Sequence, residues 1–593
     1  MRRTTLIGVF AAVTLVMTGC AVPVGETRAA TRAATALVRD AAAQQRALDA
    51  LGASGTAGVD PVTAAVQTAR QRADLAGDIQ FSAPSGTFQG QQPVQLSTTI
   101  ANAQIHYTVD GSAPTSASPL YSAALTLTRT TQVRAQAFVN GTASGEPGSS
   151  VYIARAVDAQ HDLPLVVLDA YGGGKPAREY RDVAALIVDK QNNVASLSTA
   201  PAVATRAGFH LRGQSSSNFQ KAPYRLEFRD NEDKGAEFPV LGMPADEDWV
   251  LRGPFPDKTL IRDAFAYTIG RDMGLRAPRF AFVEVYLNLD ADPMGADDYQ
   301  GVYLLQENLK NSPERMNLAK LKETDVTEPA VSGGYIMQFN ALAAEPPLLT
   351  CTRKPPSNAC WSDLEVNEPK ELAPQQQAWI TDYVQKFHDS LRSANPADPV
   401  TGYPAYADVN SWVDRVVHNE LAREPDAYIR STYFFKDRGG KLVAGPLWDY
   451  DIGYGAYTGF GGTGATYTGW QFSAGFFGTT DWFQRLMADP SFQTLAQNRW
   501  TALRSSIMSD AQLRARVDTL TAPLANAAQR NFTKWPILNQ ANVGGFQTQV
   551  SQTYAQQLEI MKTWLVNRAK WLDTSGWRPT TGTPPAAPPP HLR

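Results

Sequence analysis

The stretch from Trp412 to Asp451 constrains this chain more than any other, because it must form a helix, break it, and then turn back on itself as a hairpin. Trp412, Val413, Val416, Val417 and Leu421 recur at helical spacing and define one apolar face. Pro425 has no backbone N–H and its ring clashes with the preceding turn, so the helix ends before it and Asp426 opens a loop. Tyr433 to Ala444 then reads as a hairpin turning at Gly439-Gly440. Its second strand is expected to run into Gly445-Pro-Leu-Trp-Asp-Tyr-Asp451, which would put Asp449 and Asp451 on one strand face.

A loop carboxylate followed by two more at a hairpin exit is an order that phosphoryl transfer uses. One aspartate takes the proton of the attacking hydroxyl, and the others hold cations that neutralise phosphate charge. Asp426 is the candidate base, and Asp449 and Asp451 are candidate ligands whose oxygens suit Mg²⁺ or Mn²⁺. Taken alone, an acidic pair beside a tryptophan fits a Ca²⁺ site or a buried polar network equally well.

At 593 residues the chain exceeds one ordinary core, so two or three domains with linkers are expected. With 43% hydrophobic and 19% charged residues it should be mostly folded. The balance of 54 Lys+Arg against 57 Asp+Glu leaves no basic field, so nucleic acid is not an expected partner.

Five segments follow from texture. Residues 1–20 have a basic start, an apolar run too short to span a membrane once mature, and small residues before Cys20. They look like an export signal closing on a bacterial lipoprotein lipobox, in which Cys20 carries the lipid; a plain secretory signal is the alternative, and both imply export. The expected location is the cell envelope, anchored to a membrane. Residues 21–77 read as an Ala/Gln-rich tether, and 78–154 as a small antiparallel, immunoglobulin-like β-sandwich of short alternating runs. Residues 160–575 form a large α+β domain whose end is helical, Tyr554 to Leu572 repeating apolar positions at helical spacing. Residues 576–593 are a Pro-rich tail. Cys351 and Cys360 have no His or further Cys nearby to complete a metal site and are expected to form a disulfide. The six histidines lack ligand spacing.

Leu211 to Glu227 is the candidate phosphate-contacting segment. Gly213, Ser215 and Ser216 offer a flexible loop with spare donors, and Arg212, Lys221 and Arg225 offer positive charge. Lys221 is the favoured contact, solvated strand-end cations being the plainer alternative. Glu307 is a candidate partner for such a lysine, or an ordinary surface glutamate. Asp257 precedes the helical stripe Leu260, Ile261, Phe265 and Ile269 and reads as an N-cap.

Four ordered blocks resemble the CotH kinase family: Leu211-Arg-Gly-Gln-Ser-Ser-Ser-Asn-Phe-Gln-Lys-Ala-Pro-Tyr-Arg-Leu-Glu227, Asp257-Lys-Thr-Leu-Ile-Arg262, Tyr299-Gln-Gly-Val-Tyr-Leu-Leu-Gln-Glu307 and Gly445-Pro-Leu-Trp-Asp-Tyr-Asp451. The resemblance implies an atypical kinase fold that uses ATP and a divalent metal to phosphorylate protein hydroxyls. By position, Asp426 resembles the catalytic-loop aspartate and Asp449 the metal-binding one. Kinase catalytic loops place a metal-binding Asn five residues after the base; here that position is Ser431, a shorter and weaker ligand. The departure bears on activity rather than on fold.

Ile105-His-Tyr-Thr-Val-Asp-Gly-Ser-Ala-Pro-Thr115, with its Asp110-Gly111 turn, resembles the chitobiase/β-hexosaminidase C-terminal-type module. That implies an accessory domain, either a spacer or a glycan contact. The expected function is therefore an exported, lipid-anchored kinase acting on Ser/Thr hydroxyls of envelope or coat proteins, its protein substrate unspecified. The alternative is a weak or inactive kinase-like scaffold or assembly protein of the envelope. A glycoside hydrolase is disfavoured because the repeated βα pattern of a barrel enzyme is missing.

Overall fold

The computed structural model describes residues 75, 77–340, 344–351, 360–457, 465–473 and 481–578. The expected signal with Cys20, nearly all of the tether and the Pro-rich part of the tail lie outside them. The chain divides into two compact units. Of the described residues, the first comprises those up to Arg212 with Pro223–Arg252 and Ala281–Leu305, and the second Gly213–Ala222, Gly253–Phe280 and those from Gln306 on.

The first unit opens with eight strands, β1 (Ile79–Phe81), β2 (Gly86–Phe88), β3 (Gln92–Val94), β4 (Leu96–Thr98), β5 (Gln104–Thr108), β6 (Leu125–Leu127), β7 (Thr131–Val139) and β8 (Thr142–Ala154). Alternation does the expected work here: Val94, Leu96, Ile105, Leu127, Val133, Ala135 and Ala137 turn inward to one core. The arrangement is a mixed one, however, and not a simple antiparallel sandwich. A four-stranded sheet runs β2-β8-β7-β5, with β1-β4 and β3-β6 as separate ribbons. Within the sheet β2 lies parallel to β8.

Seven further strands, β9 (Leu165–Asp169), β10 (Arg181–Val188), β11 (Val203–Leu211), β12 (Tyr224–Arg229), β13 (Asp248–Arg252), β14 (Phe280–Asn288) and β15 (Tyr299–Glu307), close into a barrel in the order β9-β10-β11-β12-β13-β15-β14. Closure comes from β14 lying parallel to β9, with Leu165 opposite Glu284 and Asp169 opposite Asn288. The long strand β8 does not stop at the small module. Its Val151 and Ile153 join Leu165, Val167, Ala184, Leu186 and Val188 in one buried cluster. Thr130 Oγ1 also donates to Asp169 Oδ2 at 2.8 Å, and Arg134 to the Asn231 carbonyl at 2.6 Å.

The second unit contains α1 (Arg262–Met273), β16 (Tyr335–Phe339), β17 (Leu348–Leu349), β18 (Leu364–Glu368), α2 (Pro374–Ser390), α3 (Val409–Ala422), β19 (Thr432–Lys436) and β20 (Leu442–Ala444). Its five-stranded sheet is ordered β17-β18-β16-β19-β20. A helical region follows, as expected: α4 (Trp482–Ala488), α5 (Pro490–Arg504), α6 (Asp510–Thr521), α7 (Ala525–Lys534) and α8 (Tyr554–Ser575). Trp412 on α3 packs against Phe387, Phe434 and Phe483 with ring centroids 4.9 to 5.2 Å apart. That aromatic block fixes α3 against sheet and helices. The expected disulfide joins Cys351 to Cys360.

Candidate functional site

Helix α3 begins on Asp408, whose carboxylate accepts the Ser411 N–H at 2.9 Å. It ends at Ala422, where Arg423 takes a left-handed conformation (φ 44°). The chain therefore leaves the helix before Pro425 and turns at Asp426, whose carbonyl accepts the N–H of Ile429 and of Arg430 at 3.2 and 2.9 Å. Tyr428 (φ 75°) and Ser431 (φ 49°) are also left-handed and steer the chain into β19.

The hairpin forms, but its exit departs from expectation. Strand β20 stops at Ala444 and no strand carries Asp449, which instead sits at φ 68°. Side chains hold this segment where a ladder would have. The Tyr450 N–H donates to Asp263 of α1 at 2.6 Å, and its hydroxyl donates to Asn419 of α3 at 2.6 Å. The Asp449 N–H reaches the Tyr267 hydroxyl at 3.3 Å. Left-handed backbone at Arg423, Tyr428, Ser431, Asp449 and Tyr454 costs on the order of 1 kcal/mol apiece. Such strain persists only where packing fixes it, and it gathers at sites that must hold a geometry.

The two carboxylate-bearing segments meet. Ser431 Oγ donates to Asp449 Oδ2 at 3.1 Å. Asp426 is pushed up to about 6, mainly by burial; Arg430 opposes the shift and Asp449 adds to it. Glu424, at 2% exposure, is raised far above the usual carboxylate range by burial first and then by Asp426, Asp451 and Asp449. Its Oε2 is buried and has no hydrogen-bond partner. The carboxylates of Glu424, Asp426, Asp449 and Asp451 thus act on one another electrostatically, and one buried oxygen among them is unsatisfied.

Two buried ion pairs brace the site. Glu420 pairs with Arg568 of α8 and also accepts the Gln471 and Phe472 N–H groups and the Tyr428 hydroxyl. Asp257 pairs with Arg262, whose Nε donates to the Gly453 carbonyl at 3.0 Å. Asp257 also takes the N–H of Arg262, the first residue of α1, so it serves the helix start although the cap position itself is Ile261. Glu420, Glu424 and Arg568 are not among the site residues that the sequence predicts.

The candidate phosphate contacts are spread more widely. Lys221 is buried with its Nζ on Asn531 Oδ1 of α7 at 2.8 Å, and burial pushes it well below the usual lysine range against the pull of Asp257. Glu307 does not pair with Lys221. It holds Arg279, whose Nε and backbone N–H both reach it at 2.9 Å, with Arg315 at 3.9 Å. Ser215 and Ser216 cap a short turn through their carbonyls, which accept from Asn218 and Phe219. In the barrel unit, the Arg212 N–H bonds the Pro223 carbonyl at 3.2 Å and Arg225 bonds Asp248 at 2.7 Å. Among the described residues, Asp246, Glu247 and Asp248 are the acidic trio whose ligand atoms all lie within 4.8 Å of one another. A groove of about 530 Å³ beside α8, lined by Val550, Ile560 and Trp564 among others, contains none of these residues.

Residues 83–149 match the model of the chitobiase/beta-hexosaminidase C-terminal domain. No curated protein matches the chain. The model of the CotH kinase protein family matches residues 209–572, which take in the hairpin, both of its flanking aspartates and the helices that brace them, so the chain belongs to that family.

Proposed function

We propose that this protein is an ATP- and divalent-metal-dependent protein kinase that phosphorylates Ser or Thr hydroxyls of envelope or coat proteins. The observation carrying the proposal is the meeting of the two aspartate segments, in the Ser431 to Asp449 hydrogen bond and in the effect of Asp449 on Asp426. In this reading the Asp426 carboxylate takes the acceptor's hydroxyl proton as the oxygen bonds to the γ-phosphorus and the bond to ADP breaks. Asp449 and Asp451, with Ser431 beside them, would hold the metal. When bound, it supplies positive charge for the phosphate oxygens. Ser215 and Ser216, in the unit that carries Asp426 and Asp449, are the proposed phosphate contacts. Lys221, engaged by Asn531, is read as a support for the loop that precedes it.

Export and lipid attachment through Cys20 belong to the same proposal and rest on the N-terminal motif. Among the described residues no helix is long and apolar enough to cross a membrane. Glycan contact by the small module is proposed from its family.

The test is incubation of the full chain with labelled ATP and Mn²⁺ beside Asp449→Ala. Label in the parent alone supports the kinase. Equal label in both removes Asp449 from the chemistry, and label in neither leaves the scaffold reading.

A further inference from the structure

We infer that the hairpin Asn542–Gln547 is a positioning element of this centre. Its Phe546 links Phe219, in the loop of Ser215 and Ser216, to Tyr457, and so sets that loop at a fixed distance from Asp426. The inference rests on the reading of the site as a phosphotransferase centre.

The hairpin pairs Asn542 with Gln547 and Val543 with Phe546, and turns at Gly544 and Gly545, both left-handed at φ 60° and 85°. Gly544 serves space as well as backbone, because a Cβ built on it would lie 2.7 Å from the Phe219 ring. The turn therefore rests directly against the serine loop. Phe219 is buried in a cluster with Phe255, Ile537 and Val543. Its ring meets Phe546 edge-on with centroids 5.8 Å apart, and Phe546 meets Tyr457 edge-on at 5.6 Å.

Tyr457 is the end of this row of rings that lies toward Asp426. Its backbone pairs with Thr548, just beyond the hairpin. Three residues earlier the Tyr454 N–H donates to the Ala422 carbonyl at 2.7 Å, so the segment runs against the end of α3, where the chain turns at Asp426. Burial raises the Tyr457 phenol, and the Asp426 carboxylate raises it further. Two buried lysines hold the ensemble. Lys258 Nζ donates to the Leu538, Gln540 and Gln549 carbonyls on either side of the hairpin at 3.2, 2.6 and 2.7 Å. Lys221 ties the end of the serine loop to Asn531. Packed rings pass on a displacement instead of absorbing it, and misplacing reacting groups by about 1 Å can cost on the order of 100-fold in rate.

The experiment compares the full-length parent with Phe546→Ala, Tyr457→Leu, Phe546→Tyr and Trp535→Leu. Label transfer from ATP with Mn²⁺ gives kcat and the KM for ATP, melting checks folding, and amide hydrogen exchange follows residues 213–222. Phe546→Ala and Tyr457→Leu should each lower kcat at least about tenfold while changing the KM for ATP less than about threefold. Phe546→Ala should also speed exchange in 213–222. Phe546→Tyr keeps the ring and should restore both. Trp535 packs on Phe255 of the same cluster at 5.6 Å but stands outside the row of rings, so Trp535→Leu should lower melting and leave kcat unchanged. Tyr457→Leu gives a second reading if Phe546→Ala folds poorly. If Phe546→Ala and Tyr457→Leu keep the parent's kcat, or Trp535→Leu loses as much as they do, the rings are ordinary packing; the inference falls and the phosphotransferase reading stands. A parent that transfers no label overturns that reading and the inference with it.

Discussion

Glu420 of α3 and Arg568 of α8 face each other at 3.2 Å with neither side chain exposed. Arg568 also donates to the Glu420 carbonyl at 2.6 Å, so one guanidinium closes both the side chain and the backbone of that turn. Removing it leaves a buried carboxylate without its counter-charge. Arg568→Met is expected to destabilise the protein by about 3–5 kcal/mol. Urea unfolding followed by tryptophan fluorescence measures this, and a loss below about 1 kcal/mol would contradict the bracing role.

Ser431 occupies a left-handed position at φ 49°, a conformation that asparagine tolerates better than most residues. Ser431→Asn is therefore expected to fold with stability within about 1 kcal/mol of the parent. It should also raise Mn²⁺-dependent phosphoryl transfer, since an amide oxygen reaches further than a hydroxyl. Ser431→Ala, which deletes the donor to Asp449, should lower it. Rates of label transfer at fixed Mn²⁺ decide between these outcomes.

Asp426 must be ionised to accept a proton, and desolvation by its packed surroundings, with 33% of the side chain still exposed, pushes it up to about 6. Phosphoryl transfer should accordingly rise with pH through an apparent midpoint near 6 and level off above it. Arg430 lies 3.9 Å from its carboxylate and pulls the other way. Arg430→Gln should move the midpoint upward. A pH–rate profile of both proteins shows whether it does.

At the end of β9, burial raises Asp169 to about 6 although Thr130, Tyr171 and Asn288 all donate to it. A carboxyl raised in the folded state binds its proton more tightly there than when unfolded. Its contribution to stability is thus complete below about pH 4 and is lost as pH climbs through about 6. Thr130→Val removes a bond that favours the charged form. It should cost about 1 kcal/mol at neutral pH and push the decline to higher pH. Stability curves of the two proteins from pH 4 to pH 8, subtracted from one another, isolate the effect.

Cys351 and Cys360 are separated by 9 positions, so their bridge removes little freedom from the unfolded chain. The double variant Cys351→Ser/Cys360→Ser should lose no more than about 3 kcal/mol. A larger loss in denaturant melts would mean that the bridge braces more than its own loop.

The helix, its proline stop and the hairpin were legible because each depends on local periodicity and turn chemistry, and together they bring Asp426 towards Asp449. The barrel was not. Its closure pairs Leu165 with Glu284, residues far apart in the chain, and no local pattern encodes such a partner. The exit of β20 was misread for a related reason. Asp263 and Asn419 hold Tyr450 from two other helices, overriding the strand that the hairpin suggested. Glu420 and Arg568 did leave a signal. Each lies on the apolar stripe of its own helix, Glu420 in register with Val413, Val416 and Val417, and Arg568 with Met561, Trp564 and Leu565. A charge on an apolar stripe marks a buried partner elsewhere.

Val151 and Ile153 belong by chain order to the small module and by packing to the barrel. A protease nicking the link near Asp158 would therefore release no free lobe; the two pieces would stay clamped together. Expressing the protein from Asp162 onward would bare Leu165, Val167 and Leu186 to water and invite aggregation. The module is thus held at a set distance and angle from the barrel, as by a bracket and not a leash.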